Sequence, residues 1–251
     1  MAGHSKWAGI KHKKAIVDAQ RGKTFSKINR ELTVAARMGG RDPAANPRLR
    51  LAIGKAREAN MPKDTIEKAV QRGTGDLPGV SYEEIVMEAY GQGGVAILIE
   101  GLTDNKNRTS AELRSILHKH GGNPAGAGSV SWLFQKRGLI TLSDLSAGED
   151  RLLELALEAG AEDFKVDGAQ ALITTPPGAL EAVKQAFESQ RIPFDTAELA
   201  MVPSTSVRVE DPAAAKGLLG LLELLEEHDD VQAVHANFDI PDALLGEAAG
   251  G

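Results

Sequence analysis

The chain has no cysteine, few aromatic residues and no long apolar run. None of its 251 residues is Cys, which excludes disulfides, thiolate nucleophiles and Cys-ligated zinc. No apolar stretch approaches the roughly 20 residues that cross a bilayer. The basic N-terminus is not followed by the apolar segment of a secretory signal. These absences predict a cytoplasmic protein that makes no contact with a membrane.

Sequence motifs of enzymes are also missing. The chain has no HExxH zinc motif, no GxSxG elbow and no Walker phosphate loop. The glycine-rich segment Gly121–Gly128 follows a helical pattern and precedes a strand pattern, the reverse of the order in a phosphate-binding loop. His118 and His120 are two positions apart, so they do not share a helical face as metal ligands. The sequence therefore predicts a protein that is not an enzyme and that holds no cofactor or metal.

Charge is abundant and is divided along the chain. Residues 1–76 hold 17 Lys and Arg against 7 Asp and Glu, a net charge of +10. Residues 77–251 hold 12 against 28, a net charge of −16, so the overall charge of −6 conceals a cationic N-terminal segment. Such a concentration of positive charge indicates a polyanionic partner, most often nucleic acid.

The cationic segment mixes phosphate-binding side chains with rings that can stack on unpaired bases. Farther along, Lys23, Lys27, Arg30 and Arg37 are spaced by four, three and seven residues, which places them on one face of a helix. The residues that we predict to contact nucleic acid are Lys6, Trp7, Lys11, His12, Lys13, Lys14, Arg21, Lys23, Lys27, Arg30 and Arg37. The alternative is a solvated tail and helix face that serve solubility alone.

Three helical patterns fill the N-terminal region. The predicted helices are Thr24–Met38, Asn46–Asn60 and Pro62–Arg72, after an extended or loosely ordered arm of residues 1–22. Gly39-Gly40 ends the first helix, and Asn46 followed by Pro47 begins the second. The short turn between the second and third helices is weak support for a helix-turn-helix motif. A glycine-rich linker then separates the basic segment from the acidic one, which predicts a domain boundary after residue 76.

Strand patterns begin after this linker. From Gly138 onward the order of elements is β-α-β-β-α-β, which is that of a ferredoxin-like unit. The elements on either side of this unit include a strand at Ser129–Phe134 and those after Ser206. Taken together, they give a second β-α-β-β-α-β order. We therefore predict an α+β fold with three parts. These are a three-helix domain with its basic arm at residues 1–76, a ferredoxin-like α/β domain formed by residues 80–136 and 204–240, and a second ferredoxin-like α/β domain at residues 137–203 inserted in it.

Two polar segments of the acidic part have a local interpretation, and the first of them also has a functional one. Thr103–Thr109 stands where a strand enters a helix, so Asp104 or Asn105 can cap the helix, or the segment can bind an anion there. Acidic residues from Glu226 to Asp230 surround the end of a leucine-rich helix, and solvation is the default expectation for them.

Several motifs of the chain resemble those of the YebC/PmpR family. In the N-terminal half they are Gly3-His4-Ser5-Lys6-Trp7, Lys11-His12-Lys13-Lys14, Asn46-Pro47-Arg48-Leu49-Arg50, Asn60-Met61-Pro62-Lys63-Asp64 and Arg72-Gly73-Thr74-Gly75. Thr103–Thr109, Gly128-Ser129-Val130 and Ala236-Asn237-Phe238 continue the likeness. The resemblance implies a helical N-terminal domain, two ferredoxin-like α/β domains, and phosphate contacts at Lys6, Lys11, Lys13 and Lys14. It implies no catalytic residue.

Members of that family are usually described as DNA-binding transcriptional regulators, and a ribosome-associated role in relieving stalled translation has also been proposed for the family. We therefore expect a non-enzymatic nucleic-acid-binding regulator that acts on DNA. The alternative is a translation factor that binds ribosomal or messenger RNA, with the ribosome as its partner. The chain has no dimerisation zipper, and we expect a monomer in which the acidic α/β domains form a cleft or partner surface.

Overall fold

The structure, a computed structural model, describes residues 18–241 and Leu244. Its α-helices between residues 18 and 241 are α1 Asp18–Gly39, α2 Pro47–Glu58, α3 Lys63–Thr74, α4 Lys106–Lys119, α5 Glu149–Glu158, α6 Leu180–Ser189 and α7 Pro212–Glu227. The strands are β1 Glu83–Tyr90, β2 Ala96–Thr103, β3 Asn123–Pro124, β4 Phe134–Leu142, β5 Asp163–Asp167, β6 Gln170–Thr175, β7 Thr196–Pro203, β8 Val207–Arg208, β9 Val231–Ala236 and β10 Phe238–Asp239. None of the described helices is long and apolar enough to cross a bilayer.

The first three helices pack as a bundle around small and branched side chains. Leu32 of α1, Leu49 of α2 and Ala69 of α3 are fully buried in its core. Asn46 begins α2 as predicted, because its side-chain oxygen accepts a hydrogen bond of 3.1 Å from the Leu49 N–H. Gly73 lets α3 approach α1 closely, since a Cβ atom there would lie 2.2 Å from the Thr33 carbonyl oxygen.

Helix α1 is longer than its sequence pattern predicts. It begins at Asp18 rather than Thr24, so the last residues of the predicted extended arm are helical. Ala19, Gln20 and Arg21 have high helix propensity. The basic composition of the arm obscured that preference. The prediction for residues 1–17 lies outside the described residues.

The first sheet has the strand order β3-β1-β2-β9, with antiparallel neighbours. One face of it packs on α4 and α7 around Ile97, Ile99, Leu117 and Leu221, all nearly or fully buried. The leucine-rich α7 therefore supplies most of the apolar surface that covers this face. Gly101 lets β9 lie close to β2, because a Cβ atom there would lie 2.6 Å from the Asp230 carbonyl oxygen.

The second sheet has the order β5-β6-β4-β7 and packs on α5 and α6. Its elements follow the predicted β-α-β-β-α-β order. The chain enters this unit from the first sheet at β4 and leaves it at β7 before it returns through α7 to β9. The α+β class, with N-terminal helices followed by two sheet-and-helix units of which one is inserted in the other, is therefore confirmed. The exact domain limits at residues 76, 136 and 203 stay a proposal.

The strand order of the first sheet differs from the predicted second β-α-β-β-α-β order. The expected strand at Ser129–Phe134 is a 3-10 turn at Ser131–Leu133 that leads into β4. Strand β1 lies between β3 and β2, and β8 pairs in parallel with β10 instead of joining the sheet. The reason is the hairpin of β1 and β2, in which eight residue pairs join through a short turn and place β1 inside the sheet.

Candidate nucleic-acid interface

The structure describes four of the side chains that the sequence predicts to contact nucleic acid. Lys23, Lys27, Arg30 and Arg37 lie along α1. The remaining predicted residues, Lys6, Trp7, Lys11, His12, Lys13 and Lys14, lie outside the described residues, as does the side chain of Arg21. The structure therefore reports on the helical part of the predicted surface and not on its arm.

The cationic face of α1 contacts the end of helix α7. The Lys27 ammonium donates to the Glu226 carbonyl oxygen, and the Arg30 guanidinium donates to that of Asp229. Lys23 reaches the Glu227 carbonyl oxygen at 3.5 Å, at the limit of a hydrogen bond. The last carbonyl groups of a helix lack partners within the helix and carry partial negative charge, so cations stabilise them. This face therefore joins the helical bundle to the first sheet.

Asp230, directly before β9, is the centre of this contact. Its side chain is only 4% exposed, and Arg30 lies 2.8 Å from one of its oxygens. The other oxygen accepts hydrogen bonds of 2.6 Å from Thr109, 2.8 Å from Arg108 and 3.2 Å from Thr103. Burial acts to raise the pKa of Asp230, but the bonds from Thr109 and Arg108 and the charge of Arg30 outweigh it and lower the pKa. The carboxylate is thus held ionised inside the molecule.

The Thr103–Thr109 segment both caps a helix and binds an anion, the two roles that the sequence leaves open. Asn105 caps α4, because its side chain accepts the Arg108 N–H at 3.1 Å. The segment also binds an anion at the start of the helix, and that anion is the carboxylate of Asp230. The expectation that the acidic cluster is merely solvated is therefore wrong for Asp230, although Asp229 and Glu227 are exposed.

His228 lies beside Asp230 and contacts both Asp230 and Glu112. Its Nδ1 accepts the Asp230 backbone N–H at 3.1 Å, which leaves Nε2 to carry the proton of the neutral ring and to donate to Glu112 at 3.0 Å. Glu112, His228 and Asp230 each offer one potential metal ligand within 4.8 Å of the others. The oxygens of Asp230 already accept from four donors and both ring nitrogens are engaged, so we assign no metal to this cluster.

Two further arginines attach the bundle to the first sheet. Arg37 donates to the Ser81 hydroxyl at 2.6 Å and to the Tyr82 carbonyl oxygen. Arg48 forms ion pairs of 2.7 Å with Glu31 and 2.6 Å with Glu84, and the hydrogen bond to Glu31 is the main cause of its raised pKa. A cleft of about 770 Å³ remains between α1, the start of α4 and the end of α7. It carries charges of both signs, including Lys23, Arg108 and Glu112. The cleft or partner surface that we expect of the two acidic α/β domains stays a prediction.

On the opposite face of the first sheet, the buried carboxylate of Glu88 organises a surface loop. It accepts backbone N–H groups of Gly128 at 2.7 Å, Val130 at 2.6 Å and Ser131 at 2.9 Å. Burial acts to raise the pKa of Glu88, and the three backbone hydrogen bonds lower it below its usual value. The loop leads to Trp132, which is 70% exposed.

Two family descriptions together match most of the chain. Residues 5–76 match the "TACO1/YebC protein N-terminal domain", and residues 82–238 match the "TACO1/YebC second and third domain". The chain belongs to the TACO1/YebC family. The resemblance to YebC/PmpR proteins that the motifs suggest is thereby confirmed.

Relatives of this TACO1/YebC chain are similar over almost their whole length. A "probable transcriptional regulatory protein" of Halothermothrix orenii is 53% identical over 249 residues, 98% of each chain. One of Geobacter sulfurreducens is 52% identical over 240 residues, 96% of each chain. The crystal structure of a conserved hypothetical protein from Aquifex aeolicus is 47% identical, has a TM-score of 0.84, and covers 94% of this chain and 98% of that one. The names of the first two relatives thus describe a regulatory protein and not an enzyme.

Further exposed cations of the bundle in this TACO1/YebC chain lie on α2 and α3. Arg50 and Arg57 are seven residues apart on one side of α2, and Lys68 and Arg72 lie on the outer side of α3. The side chains of Arg57, Lys68 and Arg72 form no hydrogen bond or ion pair with any described residue. The sequence interpretation passed over these residues, although their exposure follows from the apolar pattern of each helix.

Proposed function

We propose that this protein is a non-enzymatic regulator that binds DNA through its basic N-terminal part. The observation that carries the proposal is the division of charge, +10 over residues 1–76 and −16 over residues 77–251. A polyanion is attracted to the first part and repelled by the second, which orients the protein on its target. The name of the relatives as probable transcriptional regulatory proteins supports the same function.

The proposed contact surface combines the arm with the outer side of the bundle. Lys6, Lys11, Lys13, Lys14 and Arg21 bind phosphates, and Trp7 and His12 stack on or hydrogen-bond to bases. The exposed Arg57, Lys68 and Arg72 extend this surface along α2 and α3. Lys23 is the most available cation of the α1 face, because its contact with α7 is the longest. Lys27, Arg30 and Arg37 have protein partners, and their role as phosphate contacts stays a prediction.

One observation favours the second candidate, a translation factor that binds RNA at the ribosome. The outer side of α3 carries Asp64 and Glu67 beside its cations, which disfavours insertion of this helix into the major groove of DNA. An arm that contains Trp7 and His12 suits unpaired bases better, and such bases are the usual target of sequence-specific RNA recognition. In either case the basic N-terminal part supplies the contact.

The test is a salt titration with a charge-matched control. Binding to duplex DNA and to structured RNA is measured for the wild type and for a variant with Lys11, Lys13 and Lys14 replaced by Ala. We expect weaker binding and a slope of log K against log salt that is smaller by up to roughly 3 units. The control replaces Lys165, Lys184 and Lys216, on the acidic part, and should keep the wild-type slope. Equal slopes in all three proteins would exclude the arm as the phosphate contact.

A second measurement separates the two targets. Ultraviolet crosslinking in cells, followed by sequencing of bound DNA and RNA, should give discrete promoter sites if the protein regulates transcription. Crosslinks concentrated on ribosomal RNA would instead support the translation factor. Replacing Trp7 by Ala should cost about 1–3 kcal/mol of binding free energy if its ring stacks on a base.

A further inference from the structure

Two aromatic side chains lie close together on the surface, one at the end of β1 and one in the 3-10 turn before β4. Both are far along the sequence from the basic arm. Trp132 is 70% exposed and Tyr90 is 38% exposed. The indole Nε1 of Trp132 and the hydroxyl of Tyr90 both donate to the carbonyl oxygen of Ser129, at 3.1 Å and 3.2 Å. The polar edges of both rings are therefore fixed at one point, while much of each ring stays in contact with solvent. We call this pair the aromatic platform.

The loop that carries Trp132 is fixed before any ligand binds. Three backbone N–H groups between Gly128 and Ser131 donate to the carboxylate of Glu88, and the Ala125 N–H donates to its backbone carbonyl oxygen at 2.8 Å. Glu88 lies two residues before Tyr90 on the same side of β1. The Glu88 carboxylate thus fixes the loop that carries Trp132 beside the strand that carries Tyr90. A pre-formed aromatic surface binds with little loss of conformational entropy.

The three carboxylates Glu84, Glu88 and Glu100 on this face of the sheet are all bound to protein donors. Glu84 pairs with Arg48 at 2.6 Å, and Glu88 is enclosed by backbone N–H groups. Glu100 lies 2.9 Å from His235, and that hydrogen bond is the main cause of its lowered pKa. The positive charges of Lys136 and Arg48 lower the same pKa further. A polyanion can therefore approach this face without meeting a free carboxylate from among these three.

We propose that the aromatic platform of Trp132 and Tyr90 stacks on bases of a single-stranded nucleic-acid segment, with Lys136 close to its phosphates. The proposal rests on the proposed nucleic-acid-binding function and adds a second contact site to it. Base stacking on aromatic rings accepts any sequence, because every base has a π-face. Duplex DNA keeps its bases stacked inside the helix, so it does not present them to exposed rings. Single strands and RNA loops do.

The test uses the fluorescence of Trp132 itself. The chain has two tryptophans, so Trp7→Phe leaves Trp132 as the single reporter. In this background, a single-stranded oligonucleotide of about 12 nucleotides should quench the emission as it binds, whereas a duplex of equal length should not. Trp132→Ala and Tyr90→Ala, made in the full chain, should each weaken single-strand binding by about 5- to 150-fold and change duplex binding by less than about 2-fold.

A matched control and unfolding curves separate contact from folding. Leu157→Ala removes another exposed apolar side chain, on α5 at the second sheet, and should leave all affinities unchanged. Thermal unfolding of Trp132→Ala should match the wild type, because the ring is mostly solvated. Single strands could bind without quenching Trp132, and both variants could bind them as tightly as the wild type does. In that case the platform serves another class of partner and the proposal is wrong. If neither single strands nor duplexes bind the wild type, the proposed function fails as well.

Discussion

Asp230 and Glu88 are both buried carboxylates, yet they have different kinds of partner. Asp230 accepts from side chains of α1, α4 and the strand before α4, which are far apart in sequence. Glu88 accepts from three backbone N–H groups of one loop. The difference shows that a buried charge can either join separate parts of a molecule or shape a single segment. We expect the first kind to control global stability and the second to control the order of one surface.

The largest effect should follow from removal of the charge of Asp230. Asp230→Asn leaves Arg30 and Arg108 beside a neutral amide, and loss of one partner from a buried ion pair is strongly destabilising. We expect about 3 kcal/mol less free energy of unfolding in urea denaturation. Asp229→Asn is the matched control, because that side chain is exposed, and its effect should stay within about 0.5 kcal/mol. Equal stability of the two variants would show that Asp230 does not join the bundle to the sheet.

The same interaction should make the stability depend on acid pH. The pKa of Asp230 is lowered in the folded state, so its contribution is complete above the unfolded pKa of about 3.9 and is lost as the pH falls from there through the folded pKa. Thermal midpoints of the wild type should therefore fall steeply below that pH. Asp230→Asn should show a shallower decrease over the same range. Parallel curves for the two proteins would contradict the assignment.

A smaller and more local effect is expected for Glu88. In Glu88→Gln the amide group can accept fewer of the three backbone N–H groups, and an unsatisfied buried donor costs about 1–3 kcal/mol. The local readout is the fluorescence anisotropy of Trp132 in the Trp7→Phe background, which should fall as the loop gains motion. Glu84→Gln, on the same face but exposed, should leave the anisotropy unchanged. A normal anisotropy in Glu88→Gln would show that the loop is ordered by other contacts.

The sequence predicts local features better than it predicts the partners of each feature. The Asn46 cap and the inserted β-α-β-β-α-β unit depend on short-range patterns, and both are confirmed. The acceptor of Lys27 lies 199 residues away, so helical spacing reveals a cationic face and not its contact. Strand β3 has only two residues, too few for a periodic pattern, and this concealed the order of the first sheet. The N–H groups that bind Glu88 belong to the backbone, so the amino-acid sequence does not mark them.

The smallest effect is expected for Lys27, and it decides how the α1 face is used. Its ammonium donates to the carbonyl oxygen of Glu226 in a half-buried position, so Lys27→Ala should leave the salt dependence of nucleic-acid binding unchanged. A lysine that contacts a phosphate would lower the slope by about one unit. Arg57→Ala serves as the comparison, because that exposed side chain has no described partner and should lower the slope. A decrease of about one unit for Lys27 with none for Arg57 would support the phosphate contact that the sequence predicts for Lys27. It would mean that nucleic acid displaces α7 from the cationic face of α1.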